Sequence, residues 1–415
     1  MNRLFCLKSQ VVKERGWLTP AAHARAIDGE GKDGESSRRR RDMKASIRRA
    51  VGLGAVVVAL AASAVPRTVV AQKPAGGIPI FEVDSKWPIF DGNWIFGSIG
   101  GVVVDPTNDH VWVLNRPRTL KNDENYAAQQ PPAAACCVPP AFVQEFDEHG
   151  KTLRSWGGPG PGYEWPANEH GLSIDAKGNF WLAGNGNGDA HVLKFSREGK
   201  FLLQIGHAGK SNGSNDTENF ASPTKALYYA KTNEVFVSDG YINRRVAVFD
   251  ADTGRYKRHW GAYGKRPDDG VPRTRTYDGP APQQFNLSHD VLISRDDLVY
   301  VADRSNNRVQ VFRPDGAFVK EAFVAREVRT TTGTVVTMAF SPDREQKFLY
   351  VTSGDQKVRI LDRQTLQVVG SFGRLGHYAG QFHHITDIAV DSKGNIYTGE
   401  NEGRRVQKWV FKGLS

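Results

Sequence analysis

Short runs of alternating apolar and polar residues recur from about residue 78 to the end of the chain. The segments 170–184 (HGLSIDAKGNFWLAG) and 386–400 (TDIAVDSKGNIYTGE) show the recurring unit, in which two such runs flank a turn of Asp, Lys, Gly and Asn. A third run follows, as in RVQVF at 308–312, and a fourth ends in Trp-Gly or Phe-Gly. Alternation with a period of two is typical of half-buried β-strands joined by hairpins. The pattern predicts a repeated four-stranded antiparallel sheet.

Six repeats follow one another, and their first strands begin at Gly100, His170, Thr224, His289, Val336 and Thr386. The spacings of 70, 54, 65, 47 and 50 residues suit four-stranded blades with variable loops. Such blades close into a ring, because one blade alone cannot bury both of its faces. The last repeat stops after its third strand, near Phe411, and the early run Ile78–Val83 can supply the fourth. The sequence therefore predicts an all-β, six-bladed β-propeller over residues 78–413.

Two insertions interrupt the repeats. Residues 120–140, which include QQPPAAACCVPP, lie within the first repeat, and residues 265–284, rich in Pro, Asp and Arg, lie between the third and the fourth. We expect both to cap one face of the ring; plain solvent-exposed loops are the alternative. The first contains Cys136 and Cys137, which can form a disulfide in an oxidising compartment. Because no other cysteine follows residue 71, a structural disulfide is favoured over a redox-active or metal-binding pair.

The formal net charge of +10 is concentrated in the N-terminal segment. Residues 1–71 contain 14 Lys and Arg against 6 Asp and Glu, whereas the rest of the chain contains 41 against 39. A surface that binds nucleic-acid phosphates needs its basic excess within the folded region, and here that region is close to neutral. The charge distribution therefore argues against a nucleic-acid partner.

The same N-terminal segment is typical of an export signal. From residue 43 a basic stretch precedes an apolar run over 50–65, and Val69 and Ala71 suit the recognition positions of a signal peptidase. We predict a disordered leader or a misassigned start over 1–42, a signal peptide over 43–71, and a secreted or periplasmic protein. The apolar run is short for a membrane span, so no stable span is expected after cleavage; an uncleaved anchor is the alternative.

The first strands of a propeller line its central channel, so the residues that begin them converge at one mouth. His170 and His289 begin the second and fourth repeats, and Thr386, flanked by His383 and His384, begins the sixth. Alternate blades of a six-bladed ring are related by about 120°, so three such side chains can hold one ion. Three ligands and an open position are the arrangement of catalytic zinc. Histidines that merely hydrogen-bond water and each other are the alternative.

The second strands end at the same mouth with Arg116, Tyr241 and Arg304. Two guanidinium groups match the oxygens of a carboxylate, so we expect a small carboxylate-bearing or peptide substrate. A tyrosine beside a cation can act as a general base. Alternatively, these arginines pair locally with strand-end aspartates. Three further arginines recur at one place in the repeat and are predicted to be framework residues: Arg245, Arg308 and Arg405.

The repeats resemble NHL-repeat propellers, and three motifs are similar to those of the peptidyl-α-hydroxyglycine α-amidating lyases. The motifs are HGLSID at 170–175, VSDGY at 237–241 and VADR at 301–304. The resemblance implies a six-bladed propeller that cleaves a peptidyl-α-hydroxyglycine into a peptide amide and glyoxylate. It implies zinc ligands at His170 and His289, and a catalytic group formed by Arg116, Tyr241 and Arg304. It also implies a structural Ca²⁺, held by backbone carbonyls and one aspartate, near Val102, Leu172 and Asp387.

Two positions depart from the lyase pattern. Thr386 stands where the lyases have a third zinc histidine, so His383 or His384 would have to replace it. Ile242 stands where they have a cysteine beside the tyrosine. Both departures lie at the proposed site and leave the repeat pattern that predicts the fold unchanged.

Two classes of function therefore stay open. The first is an exported metal-dependent lyase-like enzyme, and the second is a non-catalytic propeller that binds a peptide, glycan or protein across its capped face. A calcium-dependent, lactonase-like hydrolase is a third reading, for which only Asp290 and Asp387 are well placed. We expect a monomer, because a closed ring needs no partner for stability.

Overall fold

Six antiparallel sheets of four strands each form the β-propeller in the computed structural model, which describes residues 76–90 and 92–415. The predicted leader and signal peptide lie outside these residues. Within the described ranges, no helix is both long enough and apolar enough to cross a membrane. The all-β, six-bladed prediction is confirmed.

The strands are numbered in chain order. Blade 1 contains β2 (Ser98–Val104), β3 (Val111–Arg116), β4 (Val143–Phe146) and β5 (Thr152–Trp156). Blade 2 contains β6 (Glu169–Ile174), β7 (Phe180–Gly184), β8 (His191–Phe195) and β9 (Phe201–Gly206). Blade 3 contains β10 (Lys225–Tyr229), β11 (Glu234–Asp239), β12 (Arg245–Asp250) and β13 (Tyr256–Trp260).

The other three blades follow the same order. Blade 4 contains β14 (Ser288–Ile293), β15 (Val299–Asp303), β16 (Arg308–Phe312) and β17 (Phe318–Phe323). Blade 5 contains β18 (Met338–Phe340), β19 (Phe348–Ser353), β20 (Lys357–Asp362) and β21 (Val368–Phe372). Blade 6 contains β22 (Ile385–Val390), β23 (Ile396–Glu400), β24 (Arg405–Leu414) and the early strand β1 (Pro79–Asp84). Short 3₁₀ helices lie at Pro117–Thr119, Tyr126–Ala128, Ala262–Gly264 and Arg304–Asn306.

The ring closes within blade 6. β1 pairs antiparallel with β24, with Glu82 opposite Val410 and Val83 opposite Trp409. The innermost strands β2 and β22 also contact each other, so the first and last blades are neighbours. This closure confirms that the early run supplies the fourth strand of the last repeat, and it leaves no blade with an uncovered face.

The hydrophobic core lies between blades rather than within them. Trp112 of blade 1 and Phe180 of blade 2 are fully buried, with ring centroids 4.6 Å apart. On the other side of blade 1, Val102 packs in one cluster with Tyr397 of blade 6. Because each apolar strand face is covered by the next sheet, the ring holds the innermost strands rigidly around the channel.

The three recurring arginines are framework residues. Arg245, Arg308 and Arg405 each begin the third strand of a blade, directly opposite the acidic residue that ends the second strand. The Nε atoms bind these carboxylates at 2.9, 2.7 and 2.7 Å, respectively. The pairs tie the second and third strands together at the mouth where the second strands end, which explains why the arginine recurs in the repeat.

Both insertions lie at that same mouth. The first connects the end of β3 to β4, and the second connects β13 to the beginning of β14. In the first insertion Cys136 and Cys137 form a disulfide, and the Asn93 side chain donates to the Ala135 carbonyl oxygen at 2.6 Å. The arrangement agrees with the expectation of two loops that cap one face.

Candidate functional site

A β-bulge at the start of an innermost strand directs neighbouring side chains into the channel. The pairing of β14 with β15 shifts between Ser288 and Asp290, so His289 is the extra residue. The pairing of β22 with β23 shifts in the same way around Thr386. In a regular strand, adjacent side chains point to opposite faces of the sheet. The bulge breaks this alternation, and the channel receives both residues of each pair.

The side chains at this mouth surround a cavity of about 100 Å³. Most of the predicted site residues line it together: Arg116, His170, Tyr241, His289, Arg304, His384 and Thr386. Three asparagines also line it and were not predicted, because nothing in the repeat distinguishes them: Asn168, Asn185 and Asn401. His383 does not line the cavity, and Val102, Leu172 and Asp387 lie further along the channel.

The two channel histidines present the same ring nitrogen to the cavity. Nδ1 of His170 lies 2.9 Å from the Thr224 carbonyl oxygen, and Nδ1 of His289 lies 2.8 Å from the Val336 carbonyl oxygen. Since a carbonyl only accepts, each Nδ1 carries the proton and each Nε2 has a free lone pair. The rings are 4.9 Å apart between centroids. The backbone of the neighbouring blade thus fixes both tautomers.

Burial keeps both imidazoles neutral. Burial, with a smaller contribution from the Arg116 charge, lowers the pKa of His170 to about 3. Burial and the Arg304 charge hold the pKa of His289 well below its usual range. At neutral pH both Nε2 atoms are therefore available as metal ligands or hydrogen-bond acceptors.

The phenol of Tyr241 faces both histidines. Its Oη lies 3.4 Å from Nε2 of His170 and 3.3 Å from Nε2 of His289, and it accepts a hydrogen bond of 3.1 Å from Nη1 of Arg304. Two neutral imidazoles with their Nε2 atoms toward one cavity are suitable zinc ligands, and the phenol lies beside both of them.

Arg116 has an unsatisfied donor in the same cavity. Its Nε donates to the Glu169 carbonyl oxygen at 2.5 Å, whereas its Nη2 is buried without a hydrogen-bond partner. Burial lowers the pKa of Arg116 below its ordinary value, although the group remains a cation at neutral pH. A buried donor without a partner costs free energy, so the cavity is complementary to an anion.

Blade 6 contributes a weaker set of ligands. Thr386 offers only a hydroxyl, which lies 3.5 Å from the His384 carbonyl oxygen. Glu402 contacts two imidazoles, at 3.1 Å from Nδ1 of His384 and 2.9 Å from Nε2 of His383. Across residues 76–90 and 92–415, no cluster of three or more His, Cys, Asp or Glu side chains is arranged to hold a metal ion. The third zinc ligand is therefore the incomplete part of this site.

Arginines of the second insertion hold the segments that carry the catalytic candidates. Arg273 donates to the carbonyl oxygens of Gly240 and Asn243, at 3.2 and 2.7 Å, on either side of Tyr241. Arg275 donates to the Thr330 carbonyl oxygen at 2.6 Å, two residues before the carbonyl that accepts from Arg304 Nε. The second insertion therefore holds these backbone segments in place. Its arginines were evident in the sequence, but the carbonyl oxygens that they bind could not be predicted.

A second polar cluster lies deeper in the channel. Lys225, at the start of β10, has its Nζ 3.2 Å from Asp290 and 3.5 Å from Asp387. The Val102 backbone N–H donates to Asp387 at 3.0 Å. The same lysine also lines an apolar cavity of about 280 Å³ at the opposite mouth, which Leu172 lines as well.

Comparisons with known proteins agree with this architecture. The family model described as the NHL repeat matches residues 285–312. Rat peptidylglycine alpha-amidating monooxygenase is 26% identical over 82% of this chain, which spans 33% of the rat protein. A probable peptidyl-alpha-hydroxyglycine alpha-amidating lyase of Caenorhabditis elegans is 25% identical over 81% of this chain and 89% of its own length. Mouse NHL repeat-containing protein 3 is 27% identical over 80% of this chain and 84% of its own length.

The chain is thus a six-bladed β-propeller in which one segment, residues 285–312, matches the NHL repeat. More particularly, it is similar in sequence to the peptidyl-α-hydroxyglycine α-amidating lyases and to an NHL repeat-containing protein, at 25–27% identity for the relatives above. It spans about a third of the length of the rat monooxygenase. A solved structure of streptogramin B lyase overlaps with a TM-score of 0.46 at 11% identity, covering 80% of this chain and 98% of its own, a likeness too loose to bear on function.

Proposed function

We propose that the protein is an exported, metal-dependent lyase that cleaves the carbon–nitrogen bond of a peptidyl-α-hydroxyglycine and releases glyoxylate. The observation that carries the proposal is the convergence of two neutral imidazoles, one phenol and an unsatisfied guanidinium group on one small cavity. Export rests on the signal segment predicted over 43–71, and the choice of reaction rests on the similarity to amidating lyases.

Zinc is the ion that the donor set fits best. His170 and His289 would hold it through Nε2, and His384 is the candidate for the third ligand because it is the other imidazole lining the cavity. When bound, the ion supplies a Lewis acid for the substrate hydroxyl. A ligand set without the usual third histidine predicts weaker zinc binding than in a three-histidine site.

Arg116 and Tyr241 have separate roles in substrate binding and proton transfer. Arg116 binds the substrate carboxylate through its unsatisfied Nη2. Tyr241, whose Oη accepts a hydrogen bond from Arg304, is the general base that takes the proton of the hydroxyl. The hydroxyl oxygen then forms the new carbonyl bond while the carbon–nitrogen bond breaks. The electron pair leaves with the amide nitrogen, which takes the proton back, so a peptide amide and glyoxylate are released and Tyr241 is regenerated.

The size of the cavity limits which part of the substrate is enclosed. A volume of about 100 Å³ is smaller than the roughly 150 Å³ of a cavity that holds one benzene molecule. It can enclose the α-hydroxyglycine end but not a peptide chain. The rest of the substrate would therefore extend over the face that the two insertions cap, where Ile242 is exposed beside Tyr241.

The proposal is tested by assaying glyoxylate release from an N-acyl-α-hydroxyglycine. The full chain is stripped with a chelator and then reloaded with zinc. We expect zinc to restore activity, and Tyr241→Phe to lower kcat by roughly 10²–10⁴-fold, because the base is lost. Tyr228→Phe is the matched control, since Tyr228 hydrogen-bonds Asn233 away from the cavity. The absence of glyoxylate from the zinc-loaded protein, or an unaffected Tyr241→Phe variant, would contradict the proposal.

Binding without catalysis is the second candidate. Thr386 in place of a ligating histidine and the similarity to NHL repeat-containing protein 3 favour it. The metal content separates the two candidates. About one zinc per chain that is lost in His170→Ala supports the enzyme, whereas zinc-free protein that captures a peptide or glycan on the capped face supports a binding module.

A further inference from the structure

A buried lysine bridges the channel between two carboxylates. Lys225 begins β10 in blade 3, whereas Asp290 and Asp387 belong to blades 4 and 6. The three side chains are at most 9% exposed. Burial by itself would lower the pKa of Lys225, but the two carboxylates outweigh it and raise the pKa above its ordinary value, so the side chain is an ammonium.

The carboxylates that face the channel already have donors. Asp290 accepts from the backbone N–H groups of Val291 and Met338, at 2.9 and 2.8 Å, in addition to Lys225. Asp387 accepts from the N–H groups of Val102 and Ile388, at 3.0 and 2.9 Å. Ca²⁺ takes six to eight oxygen ligands, and N–H donors and an ammonium at the same place repel it. The residues near Val102, Leu172 and Asp387 therefore do not fit the calcium that the lyase resemblance implies.

The repeat shows how the ammonium reaches this position. Asp290 follows His289, Asp387 follows Thr386, and Lys225 follows Thr224, so all three stand directly after the residue at which the sequence predicts an innermost strand to begin. The repeat thus places two negative charges and one positive charge at one level of the ring. A cation carried by the chain and a bound cation are alternative ways to neutralise the same pair of carboxylates.

We infer that the Lys225 ammonium is the fixed cation of this channel, in place of a bound calcium ion, and that the fold does not depend on calcium. The inference stands apart from the proposed lyase activity, since its tests measure metal content and thermal stability. A buried ammonium between two carboxylates stabilises the ring only while all three partners are present.

The wild-type chain gives the first test. Thermal unfolding is measured after treatment with EGTA and again in millimolar calcium, and the calcium content is measured after dialysis. We expect the same Tm under both conditions and no retained calcium. A Tm that falls with EGTA and is restored by calcium, or one equivalent of retained calcium, would overturn the inference.

Lys225→Asp gives the second test, because it adds a third carboxylate at the same level. We expect its Tm to fall by roughly 5–10 °C without calcium and to recover when calcium is added. Lys210→Asp, a charge reversal at an exposed lysine, is the matched control and should show neither change. A Lys225→Asp variant that folds with the wild-type Tm and ignores calcium contradicts the inference. If that variant does not fold, calcium titrated into the EGTA-treated wild-type chain decides: a heat of binding contradicts the inference.

Discussion

The cavity lined by His170 and His289 and the cluster of Lys225, Asp290 and Asp387 are next to each other in the channel, and on β14 they are one residue apart. Their polar groups are nevertheless satisfied to different degrees. His289 lines a cavity that is also lined by Arg116, whose Nη2 has no hydrogen-bond partner. Its neighbour Asp290 has all of its channel contacts satisfied by Lys225 and backbone N–H groups. The first region has an unpaired donor beside an open space, whereas the charged groups of the second pair with one another.

One repeat can thus supply side chains both to a cavity at the mouth and to a charged cluster deeper in the channel. The β-bulge turns both residues of an adjacent pair toward the channel, one above the other. At the mouth, the ends of the strands and the adjoining turns leave a small open space between the side chains. Deeper in the channel, the innermost strands are close enough for their charges to pair across the ring. The Arg116 Nη2 donor at the mouth is left unsatisfied, whereas the charged groups deeper in the channel are paired.

We expect the largest effects from separate substitutions of the adjacent residues His289 and Asp290. His289→Ala removes an imidazole from the cavity, so kcat/KM for glyoxylate release should fall by roughly 10³-fold while the Tm changes little. Asp290→Asn leaves Lys225 with one carboxylate, so the Tm should fall by roughly 4–7 °C while kcat is retained. Parallel assays and thermal unfolding check both. A His289→Ala variant that loses thermal stability but not activity, with an Asp290→Asn variant that loses activity but not stability, would contradict this distinction.

A smaller effect is expected at the anion-binding side of the cavity. Arg116→Gln removes the unsatisfied Nη2, so KM for the carboxylate substrate should rise by roughly 10–100-fold, because a charged hydrogen bond is lost. Steady-state kinetics measure the change. Arg118→Gln is the control: Arg118 binds the Glu169 carboxylate and the Pro166 carbonyl oxygen rather than lining the cavity. An equal rise in KM in both variants would argue against a specific role for Arg116.

The smallest expected effect is a pH dependence of stability in the metal-free chain. The pKa of His170 is about 3 in the folded protein against 6.5 for the ordinary side chain. Between these values the unfolded chain binds more protons, so the free energy of unfolding falls as pH falls below about 6.5. From pH 6.5 to 5 this group alone should lower the Tm by roughly 2 °C.

The pH effect is measured as a difference between variants. His170→Gln should flatten the Tm profile in this window, whereas the exposed His149→Gln should follow the wild type. Profiles that coincide for the wild type and His170→Gln would mean that burial does not hold this imidazole neutral.

Much of the fold was predictable because it depends on local periodicity. Strand alternation, polar turns and the spacing of the repeats gave six blades and the closing strand, now seen as β1 paired with β24. The first residues of the inner strands were predicted within two positions, with the largest differences at Gly100, where β2 begins at Ser98, and at Val336, where β18 begins at Met338. The identification of His170, His289, Tyr241, Arg116 and Arg304 as neighbours also followed, because ring geometry brings equivalent positions together.

The rest of the site depends on contacts between distant parts of the chain. The choice between His383 and His384 could not be made from the sequence; the backbone of His384, with φ of +60°, and its contact with Glu402 accompany its place in the cavity. The partner of Lys225 could not be found either, since Asp387 is 162 residues away. The arginines of the second insertion were visible, but the carbonyl oxygens they bind were not.

A repeated local pattern sets the number of blades, the way the ring closes and the set of side chains that reach one mouth, so all three could be predicted from the sequence. The depth at which each side chain lies depends instead on how the blades pack around the channel. The bulges abolish the simple alternation of faces, and pairing across the ring satisfies some polar groups and leaves others free. This difference in pairing separates the cavity lined by His170 and His289 from the cluster of Lys225, Asp290 and Asp387.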